Sequence, residues 1–103
     1  MSNPRAIILA PRAARDLEKG SAWWADHRPA VPDAFKEELE RALALISTHP
    51  WAGAKATNVK LRGVRRVHLS RIRYHLYYRL SADGKTVEVL AFWHTSLGSG
   101  PPL

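Results

Sequence analysis

Arg71, Arg73, His75, Tyr77 and Arg79 occupy alternate positions in one short stretch, with Ile72, Tyr74, Leu76, Tyr78 and Leu80 between them. A period of two sorts side chains onto the two faces of an extended strand, whereas a helix brings its apolar residues back every three or four. One face of this strand is therefore made for a core. The other is cationic and aromatic without an acid, which suits an anion. Its guanidinium groups can clamp phosphate or carboxylate oxygens, and its histidine can move a proton near neutral pH. With Arg65 and Arg66 just upstream and His94 closing the next strand, the residues available for catalysis are Arg65, Arg66, His75, Arg79 and His94. Those available for binding a target are Arg66, Arg71, Arg73, His75, Tyr77, Arg79 and His94.

Three chemistries fit this set. Arginine can stabilise the charged transition state of RNA cleavage while histidine serves as base or acid. The same groups can merely bind RNA, with Tyr77 or Phe92 stacking a base. They can also line a groove for an acidic peptide. Other chemistries lack their parts. His27 and His49 sit at helix ends beside proline, and His68, His75 and His94 fall on three different strands with no carboxylate at a coordinating spacing, so no metal is expected. A Gly-x-Ser-x-Gly elbow is absent. Glu88 and Asp83 lie at the wrong end of a hairpin to share a glycosidase-type site. No cofactor is expected.

The hairpin that presents this face turns at Asp83-Gly84, a dipeptide that favours tight β-turns. A two-residue loop pairs Ala82 with Lys85, and counting outward sets Leu80 against Val87, Tyr78 against Val89, Leu76 against Ala91 and Tyr74 against Trp93 on the core face. On the outer face it sets Arg79 against Glu88, Tyr77 against Leu90, His75 against Phe92 and Arg73 against His94. A three-residue loop would put Glu88 inside, which disfavours it.

The elements that must carry the hairpin follow in order. Residues 5–10 (RAIILA) predict a short strand closed by Pro11. Ala13, Leu17, Gly20 and Trp24 then recur at helical spacing until Arg28, which Pro29 forces out of the helix, with Trp23 at the border of the stripe. Gly20, costly inside a helix, predicts a close approach to another element. Pro32-Asp33 start a second helix whose apolar positions are Phe35, Leu39, Ala42, Leu43 and Ile46, and His49-Pro50 stop it. Residues 51–62 show no period and read as a loop, and residues 64–70 as a strand. Residues 96–103, with two glycines and two prolines, read as irregular. The expected fold is α+β: a short N-terminal strand, then an αα-hairpin packed on one face of a small antiparallel sheet, in the order β-α-α-β-β-β.

At 103 residues the chain is expected to be a single domain, residues 1–103, and 46% hydrophobic against 24% charged residues is an ordinary globular composition. The absence of cysteine excludes disulfides and thiolate metal sites. The apolar run at residues 6–10 is too short for an export signal or a membrane span, which predicts a soluble, cytoplasmic protein without a membrane partner. The net charge of +7 is unevenly placed: residues 1–54 carry seven Lys and Arg against seven Asp and Glu, and residues 55–103 carry nine against two. A polarised surface of this kind favours an acidic or phosphate-bearing partner, although a merely solvated basic face also satisfies the pattern.

Ala14-Arg15-Asp16-Leu17, Trp23-Trp24, Phe35 with Leu39, Pro50-Trp51-Ala52-Gly53, Arg65-Arg66, Tyr77-Tyr78-Arg79-Leu80 and Val87-Glu88-Val89-Leu90 with His94 together resemble the RelE/ParE superfamily of toxins, closest to its ParE-like branch. The resemblance implies the toxin half of a bacterial type II toxin–antitoxin module, growth-arresting when free. It further implies neutralisation in a hetero-oligomer by a small acidic or amphipathic antitoxin encoded beside it, and action on a protein target such as DNA gyrase. The alternatives are a RelE-like ribosome-dependent mRNA endonuclease and a basic RNA-binding module without toxicity. Where ParE-like chains commonly carry a basic Gly-Arg-Arg-Asp-Pro type of tail, residues 95–101 are uncharged. The catalytic Tyr or basic residue usual near that end in RelE-like nucleases is also missing. Enzymatic activity is therefore not the favoured expectation.

Overall fold

Pro11 takes the first turn of a helix, where its missing N–H costs no hydrogen bond. The stripe that follows buries Ala13, Gly20 and Trp24. In the structure, a computed structural model that describes residues 4–103, this helix is α1 (Pro11–His27). It follows strand β1 (Ala6–Leu9) and precedes α2 (Ala34–Thr48), β2 (Ala54–Lys55), β3 (Arg65–Leu69), β4 (Tyr74–Leu80) and β5 (Thr86–His94). The first three residues of the expected domain lie outside the described residues. The strands form one sheet in the order β1-β5-β4-β3-β2. Both helices pack on the same face, where Trp24, Phe35 and Ile46 meet Leu76, Tyr78, Val87, Val89 and Phe92.

This is the expected α+β arrangement, with two differences in the sheet. It is mixed, because β1 runs parallel to β5. Residues 54–55, inside the stretch read as loop, add the two-residue edge strand β2 to β3. Gly20 is the predicted close approach: a Cβ there would stand 3.1 Å from the Phe35 ring and 3.3 Å from the Tyr74 hydroxyl. The helix connection spans residues 28–33, where Trp24 Nε1 donates to the Val31 carbonyl at 2.9 Å and holds the turn against α1.

The hairpin keeps the expected register near its turn, with Leu80 against Val87, Arg79 against Glu88 and Tyr78 against Val89. Its loop is longer than two residues, since Ser81 N donates to the Thr86 carbonyl and Gly84 N to the Ser81 carbonyl. Only Gly84 takes a positive φ, at 73°. Beyond Tyr78 the register changes. Leu90 is an extra residue, and Tyr77 pairs with Ala91, Leu76 with Phe92, His75 with Trp93 and Tyr74 with His94. A β-bulge of this kind turns every later side chain of its strand to the opposite face. Phe92 therefore enters the helical core, 4.4 Å from the Tyr74 ring in a stack and 5.4 Å from Phe35 edge to face. Trp93 moves to the other face. The unbroken apolar run from Val89 to Trp93 has no alternation to forbid the shift.

Residues 71–73, expected to continue β4, form the turn between β3 and β4. Ile72 and Arg73 both donate their N–H to the Leu69 carbonyl, and Arg73 has φ 61°. Ile72 still drops into the core, so the period of two persists there without a strand.

The sheet face opposite the helices is not simply solvated. Val64, Tyr77, Leu90 and Ala91 form a second, smaller core, joined by Ala56, Val59, Trp93 and Leu103. Tyr77, expected on an open face, is 1% exposed. The tail is irregular as expected, yet it is docked: Lys60 and Leu61 N–H groups donate to the Leu103 carbonyl, and Trp93 Nε1 donates to the Ser99 carbonyl at 2.8 Å.

Tyr78→Ala is expected to cost about 3 kcal/mol or more and Arg73→Ala under about 1 kcal/mol. Gly53→Ala is expected to cost about 1–3 kcal/mol, because its new methyl would meet the Tyr78 hydroxyl and the Arg66 carbonyl. Urea denaturation of the three variants measures this, and equal midpoints for Tyr78→Ala and Arg73→Ala would exclude the buried position of Tyr78.

Candidate functional site

The eight sequence-predicted residues do not converge on one site. Arg65 lies opposite Tyr78 at the margin of the helical face, and its guanidinium donates to the Gly53 carbonyl at 2.8 Å. Arg71 is paired with Glu37 of α2 at 3.0 Å, and Arg79 with Glu88 across the hairpin at 3.1 Å. Pairs as exposed as these contribute under about 1 kcal/mol, yet they occupy the guanidinium groups. Arg66 and Arg73 make no carboxylate pair among the described residues. Tyr77 is buried, its hydroxyl accepting from Asn58 Nδ2 at 2.9 Å, so it is not available to stack a base.

The two histidines separate. Their expected placement on one side followed from a register without a bulge. With Leu90 inserted, His75 pairs with Trp93 and His94 with Tyr74, so their side chains lie on opposite faces of the sheet. His94 stands edge to face with Tyr74 at 5.0 Å. Its Nδ1 accepts from the Ser96 N–H at 3.1 Å, and since a backbone N–H can only donate, the proton of the neutral ring sits on Nε2. His75 instead neighbours His68 of β3, the ring centroids 5.0 Å apart. Burial pushes the His75 pKa below its ordinary value, and the charges of Arg66 and His68 push it the same way. What the outer face assembles is thus Arg66, His68 and His75, of which His68 had been discounted as a metal ligand and not considered further. Among the described residues no group of three or more His, Asp or Glu side chains could hold a metal ion.

Two residues of structural consequence were left without a role in the sequence reading. Asp16 Oδ2 accepts the Phe92 N–H at 3.0 Å. In an antiparallel pair the N–H and C=O of one residue point the same way, so this N–H faces away from β4, towards the edge that β1 leaves uncovered after Leu9. The carboxylate thereby holds the bulged end of β5 against α1. The signal was present, because Asp16 stands at helical spacing within the stripe of Ala13, Leu17, Gly20 and Trp24. Burial raises the Tyr74 pKa, and the Asp16 charge adds to it. The other residue is Trp51, 61% exposed beside Arg5, whose guanidinium lies 5.5 Å from the ring centroid.

Residues 7–96 match the family described as the ParE toxin of the type II toxin-antitoxin system, parDE. The chain belongs to this ParE toxin family. Solved structures of similar fold surround it. A chain of the chromosomal ParDE system from P. aeruginosa is 17% identical with a TM-score of 0.68, covering 89% of this chain and 97% of its own. A chain of the RelBE2 toxin–antitoxin complex from Mycobacterium tuberculosis is 22% identical with a TM-score of 0.62, covering 89% and 99%. A chain of the intact E. coli RelBE complex is 19% identical with a TM-score of 0.58, covering 87% and 95%. No curated protein gives a significant sequence match. This ParE-family toxin thus has the expected fold, and among its described residues no helix is long and apolar enough to cross a membrane.

The lowered His75 pKa makes stability depend on pH with a definite sign. The folded state holds its proton less tightly than the unfolded chain, so the stability is fully present above about 6.5, the ordinary value, and falls as pH drops from there through the lower folded pKa. Thermal midpoints between pH 7.5 and 5 should decline more steeply in wild type than in His75→Gln, and parallel curves would exclude this origin.

Proposed function

We propose that this chain arrests bacterial growth when free, is neutralised by a cognate antitoxin encoded beside it, and acts by occupying a protein target rather than by cleaving RNA. The observation that carries the reading is the ParE family match over residues 7–96. The named complexes among its structural relatives, ParDE and RelBE, support a small antitoxin partner and a hetero-oligomer. DNA gyrase is the target the ParE resemblance implies.

The geometry supports a binder over a nuclease. Cleavage of RNA needs a base, an acid and a phosphate clamp within hydrogen-bond reach of one phosphate. His75 and His94 are on opposite faces, Tyr77 is buried, and Arg65, Arg71 and Arg79 are committed to protein acceptors. The exposed guanidinium of Arg73 suits docking to an acidic surface.

Induction of this chain alone is expected to stop growth, and co-expression of the adjoining small reading frame to restore it. Arrest should persist in His75→Ala and His94→Ala and weaken in Arg73→Glu. Inhibition of gyrase supercoiling by the purified chain supports the target. In a translation extract, discrete mRNA cleavage that disappears in the histidine variants would instead establish the RelE-like nuclease reading.

A further inference from the structure

No Asp or Glu occurs between Glu40 and Asp83, a span that carries nine Lys and Arg. Within it, two cavities adjoin. One, of about 540 Å³, is lined by Arg5, Leu45, Thr48, His49, Trp51 and Ala52. The other, of about 430 Å³, bends round the margin of β3 and is lined by Leu45, Ala52, Arg66, His68 and His75 among others. Leu45 and Ala52 belong to both walls, so the two cavities are direct neighbours. Their chemistry changes along the length. The first end is apolar, with Leu45 and Trp51 both exposed. The second end is cationic, and it is uncovered because β2 pairs only with Arg65 and Arg66 and leaves the rest of β3 open.

We propose that this groove receives an acidic, amphipathic segment of the antitoxin, an apolar side chain anchoring on Trp51 and Leu45 and a carboxylate docking against Arg66, His68 and His75. The inference rests on the antitoxin reading above and adds to it a place and a pH response. Trp and Arg are both among the residue types enriched where a few side chains dominate the binding energy of an interface. The cationic end selects the sign of the partner and guides its approach. The histidine pair adds regulation. His75 is faced by Arg66 and His68 from β3, by Trp93 from β5 and by Tyr77 on its own strand; residues 52–54 bring no charge. With no acid in that set, the His75 ring gains a proton more readily once a carboxylate arrives. The complex therefore takes up protons as it forms, and it tightens as pH falls from 7.5 towards 6.

The test is the dissociation constant of the purified chain for the product of the adjoining small reading frame, measured at two pH values and two salt concentrations. Trp51→Ala is expected to weaken binding at least tenfold at either salt. Arg66→Gln should weaken it chiefly at low salt. The double variant His68→Gln with His75→Gln should abolish the gain in affinity between pH 7.5 and 6. Thermal midpoints unchanged at pH 7.5 establish that the variants are folded; where Trp51→Ala is not, Trp51→Gln replaces it. If wild type binds and all three variants bind identically to it, the groove is wrong and the antitoxin reading stands. If wild type does not bind at all, both fall. If the purified chain carries RNA that Arg66→Gln releases while antitoxin affinity is unaltered, the cationic end is an RNA site and the proposal is overturned.

Discussion

A single buried phenol ties the two halves of this molecule together. The Tyr78 hydroxyl donates to the Pro50 carbonyl at 2.9 Å and accepts from the Gly53 N–H at 2.8 Å. Residues 50–53 leave α2 and must reach the edge of the sheet, and their backbone polar groups would otherwise be stranded beside the core, a cost of about 1–3 kcal/mol for each unsatisfied group. Arg65 completes the clamp at the Gly53 carbonyl. Burial raises the Tyr78 pKa, which the Gly53 N–H and the Arg65 charge only oppose, so the hydroxyl keeps the proton it needs for donation. Gly53 is required because any side chain there would collide with the hydroxyl. From this clamp follow the placement of β2, the exposed position of Trp51 and the wall shared by the two cavities.

The elements were legible because their periods are strong. The stripes of α1 and α2 and the alternation from Tyr74 to Leu80 each bury what they were expected to bury, as at Ala13, Phe35, Ile46, Leu76 and Tyr78. What was not legible is the bulge. Residues 89–93 are all apolar, so either face satisfies the hydrophobic effect locally, and the choice is made by contacts distant in sequence. Phe35 and Tyr74 receive Phe92, and Asp16 takes its N–H. One inserted residue then reversed the faces of Phe92, Trp93 and His94 and separated the histidines that had seemed able to work together.

The outer face shows the same dependence on distant chain. Its cationic residues suggested an open surface, but the loop at residues 56–64 and the tail bring Val59, Val64 and Leu103 onto Tyr77 and Leu90. Neither segment has a periodic pattern that announces such a role. The charge asymmetry did survive into three dimensions, since the acid-free span carries Arg66 and His68 on β3 and His75 beside them on β4. Composition located the cationic half of the molecule, while the particular residues needed the register.

The parallel pairing of β1 with β5 joins Ala6 to Thr86 and Leu9 to Val89, the first strand of the chain to the last. Loop closure over so much chain is entropically late, and contacts of this separation slow folding. On the ribosome the constraint is stricter. With synthesis running at about 5–20 residues per second, β1 waits several seconds before its partner strand emerges. Throughout that interval the sheet has no place for residues 6–9, and β5, which also carries the bulge and His94, has yet to form. The sheet of this toxin is therefore structurally incomplete until residues 86–89 have been made, which separates the synthesis of its first strand from the completion of its fold.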